Sequence, residues 1–183
     1  MPNKRRGSVT RMPTLVFDPE PTEIEELRKR RERLGLDRHD EVWEGVLHML
    51  PPPSVQHQAL VIGLGALLLA EAQAAALTLT AGVAIGADKD DYREPDLALL
   101  RRGFDPQWNH TAALVVEVVS PGDDSWKKLP FYAAHRVEEV VIVDPQERSV
   151  KWLGLADDDY RPLERSGLIE LGPGELAERV DWP

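Results

Sequence analysis

The stretch ALVVEVVS at positions 113–120 constrains the fold more than any other part of this chain. Val115, Val116, Val118 and Val119 surround a single acid, Glu117, and a β-branched run of this length reads as a strand. Burying one carboxylate among valines costs several kcal/mol unless a partner or a metal ion compensates it. Any fold built around this strand must therefore bring something charged to Glu117. The 183 residues suit one domain, and 42% apolar with 30% charged residues describes an ordinary globular protein. With no cysteine there can be no disulfide, no thiolate zinc site and no cysteine nucleophile.

The net charge of -10 argues against a non-specific nucleic-acid coat, because such proteins are normally basic. It is unevenly placed: residues 1–40 carry 10 basic and 8 acidic side chains, so the acidic excess lies in residues 41–183. The N-terminal MPNKRRGSVTRM is basic but lacks the apolar stretch of a secretory signal, which points to a cytoplasmic protein. The most apolar window, 59–70, is 12 residues long and stops at Glu71. That falls short of the ~20 residues that span a bilayer, so no membrane partner is expected.

Residues 1–20 read as a flexible arm and 21–183 as one domain with its core at about 40–155. In PTEIEELRKRRERLG the acids precede the bases, which suits the helix dipole, and Gly35 ends the helix. Its basic run from Arg28 to Arg33 is expected to be a solvated face. EVWEGVLHML predicts one or two short strands with a turn or bulge at Gly45, stopped by Pro51, Pro52 and Pro53. Ser54 then caps a helix to about Ala76 whose apolar residues on almost every side predict burial all round, with Gly63 as a packing site. Three β-rich runs follow at 77–86, 95–100 and 113–120. DDSWKKLPFYAAHRV reads as a helix in which Pro130 forces a kink or a late start. Strands at 138–144 and 149–155, an Asp157-Asp158-Asp159 hairpin turn, and weaker runs near RPLE and LIEL close the chain. Helices and strands in this order predict an α/β fold, a mixed β-sheet flanked by helices.

Asp96 follows Pro95 where a strand begins, and two carboxylates on neighbouring strand ends can share a hard divalent cation. A surface acid or ion-pair partner is the alternative for Asp96. Lys127 and Lys128 follow the Gly122-Asp123-Asp124 turn, and Asp124, Lys128 and Tyr132 fall on one helical face. Lys128 either pairs with Asp124 along the helix or reaches back toward the carboxylates, where it would orient a water and offset charge on a phosphate oxygen. Asp144 reads as a turn or cap residue. His39, His48, His110 and His135 show no ligand spacing, and no Walker loop, G-x-S-x-G or H-E-x-x-H is present.

PDLALL, LVVEVVSPGDD and KKLPFYAAHRVEEVVIVDP, in this order and spacing, resemble the Uma-two family of restriction endonuclease-like proteins, a branch of the PD-(D/E)XK nuclease superfamily. EVWEGVLHMLPPPSVQHQAL resembles the same family's first strand and first helix, with Glu41, Gly45 and His57 at matching places. The resemblance covers roughly residues 40–155 and implies a restriction-endonuclease-like fold. It implies Asp96 and Glu117 as ligands of Mg2+ or Mn2+, joined by the Val118 backbone carbonyl, and DNA as substrate. Two residues after Glu117, where the superfamily has lysine, this chain has Val119, and the Lys-x-x-x-Tyr spacing assigns that role to Lys128. Arg136, Val140 and Val141 also depart from the family's Gly, Tyr and Trp.

As accessory residues the resemblance suggests Glu41 as a further carboxylate and His57 as facing the metal pocket or bonding Glu41, with a capping or core role as the alternative. Tyr132 would pack beneath Lys128. The expected function is metal-dependent hydrolysis of DNA phosphodiester bonds by Asp96, Glu117 and Lys128. The rival reading is a nuclease-like scaffold that binds or assembles without cleaving, and a third is hydrolysis of a smaller phosphate ester. A homodimer suits an endonuclease that cuts both strands.

Overall fold

The structure, a computed structural model, describes residues 15–17, 22–105, 108–120, 122 and 124–183. In chain order the elements are β1 (Leu15–Phe17), α1 (Thr22–Leu34), β2 (Glu41–Trp43), β3 (Val46–Met49), α2 (Val55–Ala74), β4 (Thr78–Thr80), β5 (Ala84–Asp88), β6 (Asp91–Arg93) and β7 (Leu97–Leu100). There follow β8 (Trp108–Asn109), β9 (Leu114–Val118), a 3-10 helix (Ser125–Lys128), α3 (Leu129–Ala134), β10 (Glu139–Asp144), β11 (Ser149–Ala156), β12 (Asp159–Pro162) and α4 (Pro173–Arg179).

The α/β class is as expected, but the strands form two mixed sheets rather than one. One has the order β1-β3-β2-β6-β5-β8 and the other β12-β11-β10-β9-β7-β4. The run at 77–86 divides between them: Gly82 breaks it, β4 joins β7 in the second sheet and β5 joins β6 in the first. Of the expected N-terminal arm, Leu15–Phe17 pairs antiparallel with β3, and residues 1–14 and 18–21 lie outside those described. Glu44 and Gly45, both at positive φ (51° and 83°), turn β2 into β3, the conformation a two-residue hairpin needs.

The second sheet is the core. β9 runs parallel to β10 and antiparallel to β7, and alternate residues feed two separate apolar layers. Leu97, Leu99, Leu114, Val116, Val141, Val143 and Trp152 pack on the α2 side with Leu64, Leu68 and Leu171. Ala98, Leu100, Val115, Val140, Ile142 and Leu153 pack on the α3 side with Tyr132 and Val137. A sheet covered on both faces explains why ALVVEVVS does not alternate with polar residues.

α2 departs from the expectation of all-round burial. Ser54 caps it, accepting from the His57 backbone N–H at 3.1 Å. Its 20 residues exceed the 12-residue window and are long and apolar enough by composition to cross a membrane. However, Leu60, Val61, Leu64, Leu68 and Ala72 are spent on the sheet, while Val55, Ile62 and Leu69 face outward. Gly65, not Gly63, is the packing glycine: a Cβ there would touch Leu79 and Leu97 at 3.8 Å, and one at Gly63 would meet nothing.

Pro130 produces the late start, since the 3-10 helix precedes it and α3 begins at Leu129. Asp144 caps its turn through the Gln146 and Glu147 N–H groups. The LIEL run is not a strand. After it Gly172 and Pro173 open α4, a start signal of proline in the first turn that the sequence carried.

The C-terminal segment is tied down by Glu139, which is buried at the first position of β10. It accepts from Trp152 Nε1 at 2.7 Å, Ser166 Oγ at 2.6 Å and the Gly167 N–H at 2.7 Å. Replacing Glu139 with Ala strands these donors in the interior, and a buried donor without a partner costs ~1–3 kcal/mol. Glu139→Ala should lower stability by about 2–4 kcal/mol in urea unfolding, with Glu139→Gln losing less because it keeps an acceptor.

Candidate active site

The β7–β9 ladder pairs Leu97 with Val116 and Ala98 with Val115. The same register carried one residue further sets Asp96 opposite Glu117, and directly opposed residues share a face at about 5 Å between Cβ atoms. On the other side Glu117 pairs with Ile142 of β10, and Ile142 with Lys151 of β11. Asp96, Glu117, Ile142 and Lys151 thus form one row across the sheet, on the face that the 3-10 helix and α3 cover.

Glu117 is 3% exposed, so the burial implied by its valine neighbours is real. Lys128 Nζ lies 3.1 and 3.2 Å from its two oxygens, and Tyr132 donates its hydroxyl to Oε1 at 2.5 Å. The same ammonium is 2.8 Å from Glu41 Oε1. Glu41, 1% exposed, also accepts from the Glu94 N–H at 2.8 Å and from Trp43 Nε1 at 2.7 Å. Lys128 therefore does not pair with Asp124 along the helix. Asp124 pairs instead with the exposed Lys127, at 2.8 Å, because the 3-10 geometry turns adjacent lysines to opposite sides.

Asp96 is held from two directions. Its Oδ2 accepts from the Val118 N–H at 2.8 Å and its Oδ1 lies 2.8 Å from His57 Nε2. Ser120 Oγ is 3.3 Å from His57 Nδ1. His57 faces the cleft as one reading expected, but its ring bonds Asp96 rather than Glu41, since it enters from the first turn of α2 above β7. Glu94, Ser120 and Trp43 were not singled out from the sequence. Glu94 could have been, as an acid beside Pro95-Asp96, whereas the other two had no signal.

These groups line a cleft of about 340 Å³ whose acids include Glu41, Glu94, Asp96, Glu117 and Asp124. Burial pushes the Glu117 carboxyl upward and Asp96 and Glu41 add to the push, while the Lys128 ammonium beside it pulls the other way and favours the carboxylate. Burial would lower the Lys128 ammonium, but Glu117 and Glu41 outweigh it and hold the group protonated above its ordinary value. Desolvation likewise raises Tyr132, which stays a hydroxyl donor. His48, stacked on Trp43 at 4.3 Å, is pushed down by burial. The set carries more negative than positive charge, and the excess is what burial penalises.

The donors that face the cleft at Asp96 and Glu117 are hard carboxylate oxygens, the chemistry magnesium and manganese prefer. Among the described residues no group of three or more His, Asp or Glu side chains is arranged to hold a metal ion. The oxygens of both acids already have partners in the protein, the Val118 N–H and His57 on Asp96 and Lys128 and Tyr132 on Glu117, and Glu41 is committed to Lys128.

Removing one partner of a buried ion pair leaves an uncompensated charge. Lys128→Met should cost about 3 kcal/mol in denaturant unfolding of the metal-free protein. Combined with Glu117→Gln the loss should shrink, since the charge Lys128 compensates is then gone. Equal losses in the single and double variants would contradict the coupling.

A search of curated protein sequences gave no match. Among solved structures, the chain is similar to a crystal structure titled as a “putative nuclease belonging to DUF820” from Anabaena variabilis ATCC 29413, with 13% sequence identity and a TM-score of 0.61. The likeness covers 76% of this chain and 90% of that one, and it concerns the fold. A family model described as “Putative restriction endonuclease” matches residues 24–178, from α1 into α4, and so includes Asp96, Glu117 and Lys128. By that match the chain belongs to the Uma2 family.

Proposed function

We propose that this protein is a divalent-metal-dependent endonuclease that hydrolyses DNA phosphodiester bonds. The observation that carries the reading is the row placing Asp96 opposite Glu117 with the Lys128 ammonium 3.1 Å from Glu117 inside a cleft. Asp96, Glu117 and the Val118 carbonyl would hold Mg2+ or Mn2+. When bound, such a cation supplies polarisation of the phosphate and a water of lowered pKa.

The remaining work belongs to the chain's own residues. Lys128 offers a protonated ammonium at Glu117, placed to orient a water or to offset charge developing on a phosphate oxygen. Glu41 fixes that ammonium, and Tyr132 fixes the Glu117 carboxylate. His57 and the Val118 N–H fix Asp96. The departure at Val119 loses force as an argument for an inactive scaffold, because a long side chain needs only to reach the same point, and Lys128 is 7% exposed at Glu117 rather than turned to solvent. The acidic cleft repels a phosphodiester until its charge is offset, so DNA binding should depend on metal and weaken with salt. A two-fold pair of chains would supply one such site per strand of a duplex.

Wild-type protein with Mg2+ or Mn2+ should nick supercoiled plasmid, and chelation by EDTA should stop it. Glu117→Ala and Asp96→Asn should each lower the nicking rate by about 100-fold or more. A Glu117→Ala protein that nicks as fast as wild type would sink the assignment. A folded wild-type protein that nicks neither duplex nor single-stranded DNA would favour the scaffold.

A further inference from the structure

We propose that Trp126 and Lys151 form a platform that docks an unpaired nucleotide of the substrate strand next to the cleft. This rests on the nuclease reading above and names a substrate feature that the carboxylate site does not provide. The 3-10 helix Ser125–Lys128 buries Ser125 and Lys128 while its tryptophan stays 44% exposed. A large aromatic ring at the surface, two residues from the buried Lys128, has forgone burial that would stabilise the fold. Lys151 Nζ sits over one face of that ring, 5.3 Å from its centre.

The position is fixed by the sheet. Lys151 lies in the same row as Glu117, two strands away across Ile142, and strands are spaced about 4.8 Å. The 3-10 helix bridges this interval, delivering Lys128 to Glu117 at one end and Trp126 to Lys151 at the other. A nucleic-acid strand whose phosphate lies at Glu117 reaches that far within a nucleotide or two.

Charge supports the same partner. The cleft is lined by carboxylates and the whole chain carries -10, so an exposed cation beside it stands against the local field. Lys127 is exposed with Asp124 at 2.8 Å, and Lys151 has no ion-pair partner among the described residues. The Lys151 ammonium covers one face of the ring, so a base stacks on the other face while its phosphate meets that ammonium, the pairing of aromatic and cation that a single strand requires. A base inside a duplex has both faces covered by its neighbours and cannot use the ring.

The test measures fluorescence anisotropy with the full chain carrying Glu117→Gln, which blocks cleavage, against a labelled oligothymidylate and a labelled duplex of the same length. Trp126→Ala should weaken oligothymidylate binding by about tenfold, given ~1–3 kcal/mol per stacked base, and leave duplex binding unchanged. Trp126→Phe should retain most of the affinity, and Lys151→Ala should weaken binding while reducing its salt dependence. Thermal melts identify any variant that has lost its fold, in which case Trp126→Phe and Lys151→Ala carry the test. Equal oligothymidylate binding with and without the substitutions, an equal loss for duplex, or no oligothymidylate binding by the parent would overturn the platform. Plasmid nicking by wild type is scored separately: nicking with an unaffected platform variant refutes the platform alone. Tryptophan-dependent binding without any nicking upholds the platform and refutes the nuclease.

Discussion

One ammonium compensates two buried carboxylates, and much of the site depends on it. Lys128 Nζ lies 2.8 Å from Glu41 and 3.1 Å from Glu117, both nearly inaccessible. Without it the interior would hold two carboxylates from two different sheets in mutual repulsion, at a cost of several kcal/mol. With it, β2 of one sheet and β9 of the other are linked by a charged bridge, and the bridge sits in the cleft where Asp96 also points. The structural bridge and the proposed chemistry thus share the same side chains.

The protein handles a second buried acid differently. Glu139 at the start of β10 accepts from neutral donors on Trp152, Ser166 and Gly167 and meets no cation among the described residues. Three neutral hydrogen bonds satisfy a carboxylate and stitch the C-terminal segment to the sheet. Glu117 has a cation and an opposed carboxylate within reach, the kind of environment in which perturbed acids of functional sites are found.

Much of this arrangement was legible in the sequence, and the reasons are specific. Glu117 stood out because a carboxylate among valines has to be explained, and the break at Pro130 announced where α3 begins. Helix caps and hairpin turns depend on neighbouring residues, so Ser54 and Glu44-Gly45 were readable locally. The division into two sheets was not readable, because whether β5 continues with β4 or pairs with β6 depends on packing rather than on local sequence. The exposed side of α2 escaped for a similar reason: apolar composition on all faces does not say how many faces have neighbours. Arg31 shows the same limit, since its bidentate contact with the buried Asp40 converts part of an expected solvated face into a brace between α1 and the first hairpin.

The sequence by itself determined a lone acid on a valine strand, an aspartate after a proline at the start of another strand, and a pair of lysines on a short helix after a turn. These are local facts of residue type and spacing. Which lysine enters the cleft, that Glu41 shares it, that His57 holds Asp96 rather than Glu41, and that Trp126 is left facing outward beside Lys151 were decided by tertiary structure. Each depends on strand register and on how the 3-10 helix crosses the sheet, and register is set by the packing of whole layers rather than by any single stretch of chain.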